Sequence, residues 1–269
     1  MSCNTQQSLI MKVAIITGGS SGIGLSTARL FSEHGYTVYE LSRHGQDKEA
    51  VRHMDCDVTK PDQCQQAIMQ IWKQEGSIDT VVCNAGYGIS GAIEFTDIAD
   101  AHQQFDVNYF GALHITQAVL PYMRHQKSGH IIFVSSVMAV FSLPYQSFYA
   151  ASKAAINMLA SALRNEVRSF NIQVSCVMPG DVRTSFTQVR KKDLRGADIY
   201  PRMKASVAKM EEDEQLGMPP SAVARVIYRH ASCSHPALLT TVGWSDRLLV
   251  ILQRFLPSSL VNRIVYHLY

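Results

Sequence analysis

No stretch of about 18–20 uninterrupted apolar residues occurs in this 269-residue chain, so no transmembrane helix is expected. An excess of one charge is missing too. The formal net charge is +3 and no long basic stripe exists, which argues against nucleic acid as a partner. The six cysteines (Cys3, Cys56, Cys64, Cys83, Cys176 and Cys233) form no C-x-x-C pair. Four of them fall in or beside apolar segments, so reduced core thiols are expected rather than disulfides, which points to the cytosol. His230, Cys233 and His235 lie close together in HASCSH, but no second ligand cluster matches them and no metal is expected. Internal repeats and Pro/Gly/Ser-rich linkers are also absent, so one domain is the simplest organisation. The opening MSCNTQQSLI lacks the long apolar core of a signal peptide, and residues 1–11 are read as a flexible leader or alternative start.

What is present suits one large α/β core: 46% of residues are hydrophobic and 17% charged. Short apolar runs at 12–17, 37–42, 53–58, 78–83, 130–135, 172–177 and 237–242 read as strands, separated by helical patterns such as residues 23–34. Near-continuous apolar strands alternating with helices indicate βαβ units and a parallel sheet covered on both faces. The expected fold is a doubly wound, Rossmann-type α/β domain of seven parallel strands over residues 12–243, with ligands at the strands' carboxyl ends. The rhythm breaks between about 181 and 217, where the charge runs RKKDLR (190–195) and EEDE (211–214) suggest a solvated helical pair placed as a substrate lid. Residues 244–269 read as an amphipathic helical extension interrupted at Pro257, with Arg247, Arg254 and Arg263 among apolar positions. Packing against the domain or a second subunit is the leading reading, and shallow peripheral membrane contact the alternative.

TGGSSGIG (17–24) follows the first strand and enters the first helix. There Gly18 permits a tight turn, Gly22 lets a pyrophosphate approach the backbone, and Gly24 allows close helix–strand packing, with phosphate charge at the helix N-terminus. A free ribose 2′-hydroxyl usually calls for an acid at the end of the second strand. This chain has Ser42 followed by Arg43. A small residue plus a guanidinium suits a 2′-phosphate, which favours NADP(H) over NAD(H).

FYAASKAA (148–155) places Tyr149 four residues before Lys153, on one helix face, with Ala150, Ala151 and Ser152 between. Two readings compete: a closely packed helix with an incidental pair, or a phenol whose pKa is lowered by the nearby cation and which exchanges a proton with a bound molecule.

With TGGSSGIG, DV (57–58), NAG (84–86), VN (107–108), SS (135–136), YAASK (149–153) and PG (179–180) in that order, the chain resembles the short-chain dehydrogenases/reductases over about residues 12–243. The Ser136–Tyr149 separation of 13 agrees with that family. The resemblance implies that Tyr149 is the general acid in carbonyl reduction and the base in alcohol oxidation. It implies that Lys153 binds the nicotinamide ribose and helps lower the Tyr149 pKa, that Ser136 bonds the reacting oxygen, and that Asn108 holds a water in a proton relay. Asp57 and Val58 would meet the adenine, and Asn84, Ala85 and Gly86 would lie beside the cofactor. Ser20, Ser21, Ile23, Pro179, Gly180, Val182 and Thr184 are assigned to the same cofactor site. Cys83 replaces a second Asn found in many members. The small residues 150–152 would leave space for the ligands. A homodimer or homotetramer, with contacts through helices near 97–126 and 147–170, is likewise implied.

Around this site the sequence is apolar. Met138, Phe141 and Tyr145 precede Tyr149, Tyr87 follows NAG, and Phe186, Tyr200 and Met203 fall in the lid, so all seven are assigned to the substrate. The expected activity is therefore NADP(H)-dependent interconversion of a secondary alcohol and ketone on a bulky lipophilic substrate. NAGYGISGAIE and VNYFGALHITQAVLPYM resemble the steroid- and retinoid-handling branch of the family, which favours a hydroxysteroid or bile acid. Alternatives are a retinoid or acyl-chain carbonyl, a non-catalytic NADP(H) sensor, or a membrane-associated interaction protein organised by the tail. The basic run Arg190, Lys191, Lys192 and Arg195 is read as a solvated lid face rather than a site for an acidic substrate tail.

Overall fold

The computed structural model describes residues 11–48 and 50–269; the expected leader lies outside them except for Met11. Five consecutive buried residues, Val13–Thr17, form β1, and the glycine turn leads into α1 (Gly22–Glu33). There follow β2 (Thr37–Ser42), β3 (Val51–Asp55), α2 (Pro61–Glu75), β4 (Thr80–Cys83), β5 (Ile89–Ser90) and α3 (Ile98–Phe105). A π-helical turn, Asp106–Phe110, joins α3 to α4 (Gly111–Gln126), before β6 (Gly129–Val134), α5 (Ser147–Glu166) and β7 (Ile172–Met178). The chain ends with α6 (Phe186–Val189), β8 (Lys191–Lys192), α7 (Met203–Leu216), α8 (Pro220–Ala231), β9 (Leu239–Thr241), α9 (Trp244–Gln253) and α10 (Ser258–Leu268).

Seven strands form one parallel sheet in the order β3-β2-β1-β4-β6-β7-β9. Strand side chains alternate between faces, so both faces need cover. Val13 and Ile15 join the core made with α2, α4 and α5, while Ala14 and Ile16 join that made with α1 and α8. Strand order reverses between β1 and β4. Their following loops therefore diverge and open a crevice at the carboxyl edge, where such sheets bind ligands.

The third strand lies at 51–55 rather than 53–58. Its continuation is stopped by Asp57, whose Oδ1 accepts from Thr59 N at 3.0 Å and Thr59 Oγ1 at 2.8 Å, turning the chain out of the sheet. The 181–217 segment is not a helical pair. It holds one four-residue helix, a two-residue strand (β8) that pairs parallel with β5, and the longer α7. Lys191, Lys192 and Arg195 of its basic run face solvent as expected, and Arg190 does not. Arg190 is buried against Glu214, Lys191 pairs with Asp100, Lys192 with Glu211, and Arg195 with Asp97 and Asp193. Each cation already has a carboxylate, which removes the case for an anionic substrate tail here. Among the described residues, no helix is long and apolar enough to cross a membrane.

Candidate active site

The glycine turn is built for a ligand to approach. Gly18 and Gly22 have φ of +64° and +54°, where a side chain is strained. A Cβ on Gly24 would stand 2.2 Å from the Gly18 carbonyl oxygen, so Gly24 seals α1 onto the turn without itself lining the crevice. Ser21, preceding α1, makes no side-chain cap, and the first-turn N–H groups remain available for an anion. Asn84 locks the turn from β4, donating from Nδ2 to Thr17 O at 2.9 Å and Gly18 O at 3.2 Å.

From this turn a cavity of about 970 Å³ extends past Tyr149 to the C-terminal helices. Gly18, Ser20, Ser21, Gly22, Ile23, Ser42, Arg43, Asp57, Val58, Asn84, Ala85, Gly86, Pro179, Gly180, Val182 and Thr184 all line it, as do Ser136, Tyr149 and Lys153. One acid near β2 escaped the sequence reading. Glu40 is buried beneath the turn, bonded to His53 and Ser42, and does not reach the cavity. Gly19 exists for it: a Cβ there would lie 2.6 Å from that of Glu40.

The four residues assigned to catalysis come from three places. Ser136 leaves the end of β6, its Oγ accepting from Met138 N at 3.1 Å. Tyr149 and Lys153 come from the first turns of α5, and Asn108 from the π-helical turn. Lys153 Nζ donates to Val134 O at 2.8 Å, and Ser135 Oγ donates to Lys153 O at 3.2 Å, which fixes α5 against β6. Asn108 lies behind the cavity wall. Its Oδ1 accepts from Tyr87 N, and its Nδ2 donates to Tyr87 O and Ser152 Oγ, all at 3.0–3.1 Å. A side chain on Gly86 would fill the gap between Asn108 and Lys153 Nζ.

One expectation about this helix needs correction. Ser152 and Ala150 are buried and Ala151 faces outward, and none lines the cavity. Their small size lets α5 pack on the π-helical turn instead of making room for a ligand. Without a bound dinucleotide the Tyr149 pKa stands above the usual phenol value, at about 12. Burial dominates, and a hydrogen bond with Ser136 opposes it. Burial likewise pulls Lys153 down to about 8. Its ammonium sits 5.7 Å from the Tyr149 ring centroid and is committed to a backbone carbonyl. Without a second ligand, then, the phenol keeps its proton at neutral pH, the state required of a proton donor to a carbonyl oxygen.

Of the residues assigned to substrate, Tyr87, Met138, Phe141 and Phe186 line the cavity, with the Phe186 ring 5.6 Å from that of Tyr149. Tyr145, Tyr200 and Met203 do not. Tyr145 adopts φ +63° and packs its ring towards Tyr200, Tyr200 donates its hydroxyl to Glu94 at 2.7 Å, and Met203 is wholly buried in the lid. What the sequence reading missed is the far wall. Leu249, Leu252, Gln253 and Leu256 at α9, with Val261, Ile264, Val265 and Leu268 of α10, line the same cavity. Each set has the i, i+3, i+4, i+7 spacing of one helix face, a signal present in the sequence and read there as packing or membrane contact. The adjacent face is exposed, with Trp244 at 82% and Phe255 at 81%.

A parallel doubly wound sheet, a glycine turn shaped for pyrophosphate and a Ser–Tyr–Lys cluster on the same cavity define a nicotinamide-dinucleotide-dependent oxidoreductase. The short chain dehydrogenase family model matches residues 12–195, and the chain belongs to the short-chain dehydrogenase/reductase family. It is 38% identical to a 3-ketodihydrosphingosine reductase of Bacteroides thetaiotaomicron, over 93% of this chain and 95% of that one. It is 32% identical to bovine (Bos taurus) retinol dehydrogenase 8, covering 92% of this chain and 86% of that protein. A crystal structure of a short-chain dehydrogenase from Streptomyces avermitilis superposes with a TM-score of 0.81 at 25% identity, covering 96% and 94% of the two chains.

Proposed function

We propose that this enzyme uses NADPH to reduce a ketone carried on a long apolar chain. The observation that carries this reading is the apolar face that α9 and α10 present to the cavity holding Tyr149. The dinucleotide, when bound, supplies the hydride; the residues present fit it, through the turn at Gly18–Gly24 and through Asn84 to Gly86 and Pro179 to Thr184. Ser136 holds the reacting oxygen by a hydrogen bond, Tyr149 gives it a proton, and Lys153 holds the ribose side of the site. The name of the Bacteroides relative supports an acyl-chain ketone. A hydroxysteroid or bile-acid ketone is the second reading, favoured by Tyr87, Phe141 and Phe186 around the reacting end. For a bile acid, however, the paired lid cations offer no free partner.

A chain-length series of ketones tests the proposal, with NADPH loss followed at 340 nm. Each buried methylene is worth roughly 0.8 kcal/mol, so kcat/KM is expected to rise about fourfold per carbon until the apolar wall is covered. Leu256→Asp should flatten that rise while short ketones change little. A flat wild-type series, with a compact steroid ketone preferred, would transfer the proposal to the second reading.

NADPH is favoured because Ser42 and Arg43 both face the cavity at the end of β2 and Glu40 does not. A charge-assisted contact to a 2′-phosphate is worth about 1.5–3 kcal/mol, so Arg43→Ala should weaken NADPH binding roughly 10- to 100-fold and spare NADH. Fluorescence titration reads both. Equal weakening of the two cofactors removes Arg43 from the phosphate site.

A further inference from the structure

One wall of the cavity is not apolar. Asp181 follows Gly180 after β7, Glu214 comes from the last turn of α7, and Asp246 from the first turn of α9; all three line the cavity. Burial, and then the negative charges of Glu214, Asp213 and Asp246, raise the Asp181 carboxyl pKa to about 6. Asp213 is already served, by Lys209 and by the Tyr269 hydroxyl, whereas Asp181 and Asp246 have no ion-pair partner among the described residues. Carboxylates gathered in a partly enclosed space are unfavourable unless a cation joins them.

Arg190 supplies a second, independent sign of a ligand. Its side chain is 1% exposed and pairs through Nη2 with Glu214, yet among the described residues Nε and Nη1 have no hydrogen-bond partner. It lines the same cavity, its guanidinium carbon 5.3 Å from the centre of the Phe186 ring, and Phe186 in turn packs on Tyr149. Buried guanidinium N–H groups are seldom left unpaired, and these two call for an oxygen acceptor. The wall thus offers acceptors for a cation and donors for a hydroxyl, close to the reacting end of the cavity.

We propose that Asp181, Asp246 and the Arg190–Glu214 pair bind the polar head of a long-chain α-amino ketone. The ammonium lies against the two aspartates, a neighbouring hydroxyl accepts from Arg190, and the alkyl chain runs along α9 and α10. This assignment rests on the reductase reading above. In the reaction the carbonyl π bond breaks, its carbon takes a hydride from the reduced nicotinamide, and its oxygen takes the Tyr149 proton. The ketone becomes a secondary alcohol, the nicotinamide is oxidised, and the ammonium is unchanged. A neutral ketone leaves these carboxylates and N–H groups unmatched, and an anionic lipid is repelled by the aspartates.

The test compares three ketones of one chain length with NADPH: the 2-amino-1-hydroxy-3-ketone, its N-acetyl derivative and its desamino analogue. The amino ketone is expected to exceed both others by at least about tenfold in kcat/KM, the size of a hydrogen bond to a charged group. Asp181→Asn and, independently, Asp246→Asn should each draw that ratio towards one. Calorimetry with the corresponding long-chain amino alcohol, in the presence of NADP+, should show affinity falling in the same two variants. Equal turnover of the three ketones, with ratios untouched by both variants, overturns the head-group assignment and leaves the reductase reading standing. Aspartate-dependent binding of the amino alcohol without reduction of any ketone does the reverse.

Discussion

Tyr149→Phe is expected to bind the dinucleotide normally and to lose roughly two to four orders of magnitude in kcat, the range for removal of a positioned general acid. The substitution deletes one hydroxyl and leaves the ring against Phe186, so the helix and the cavity wall persist. Ser136 Oγ accepts from Met138 N, and in the proposed mechanism its own O–H is spent on holding the reacting oxygen, while Lys153 Nζ donates to Val134 O and serves the ribose. Burial holds the native phenol protonated well beyond neutral pH, so the reduction rate should stay independent of Tyr149 ionisation up to alkaline pH. Stopped-flow reduction together with a cofactor titration checks both halves. Turnover within tenfold of wild type would mean that water or another group delivers the proton.

The largest stability effect is expected at Glu214. Glu214→Ala leaves the buried Arg190 guanidinium without its ion-pair partner and Thr187 Oγ1 without its acceptor. Stranding one member of a buried pair costs about 3–5 kcal/mol, whereas the intact pair contributes little beyond an apolar replacement. The loss is centred on the lid, because Arg190 precedes β8 and Glu214 ends α7, so the pair joins the two ends of the 186–216 segment. Urea denaturation measures it. Glu214→Gln, which keeps an acceptor, should cost distinctly less. A cost below about 1 kcal/mol for the alanine variant would show that Asp181 or another carboxylate moves in to partner Arg190, since surface-like pairs are worth no more than that.

The sequence was most legible where a residue type answers a local demand. Gly18 and Gly22 stand at positive φ, Gly24 stands where any side chain collides, and the apolar runs of β1, β2, β4, β6 and β7 are buried on both faces, so the fold and the phosphate end of the site could be read directly. It was least legible where function depends on which of two similar environments a side chain occupies. Tyr145, Tyr200 and Met203 have the chemistry of a substrate pocket, but the left-handed turn at Tyr145, the Glu94 partner of Tyr200 and the lid core around Met203 take them elsewhere. Arg190 sits in a charge run that reads as solvated, and it is the cation of that run that folds inward.

By itself, then, the sequence determined the parallel sheet, the glycine turn and the residue types of the Ser–Tyr–Lys cluster, because strand burial, turn conformation and helical i, i+4 spacing are properties of neighbours along the chain. Only the tertiary structure decided the polarity and shape of the rest of the cavity. Asp181, Arg190, Glu214 and Asp246 are brought together from four separate segments, and α9 and α10 turn one apolar face onto the same space. The physical reason is that burial sets both the pKa of Tyr149 and the need of Arg190 for a partner, and burial is a sum over contacts between segments distant in sequence.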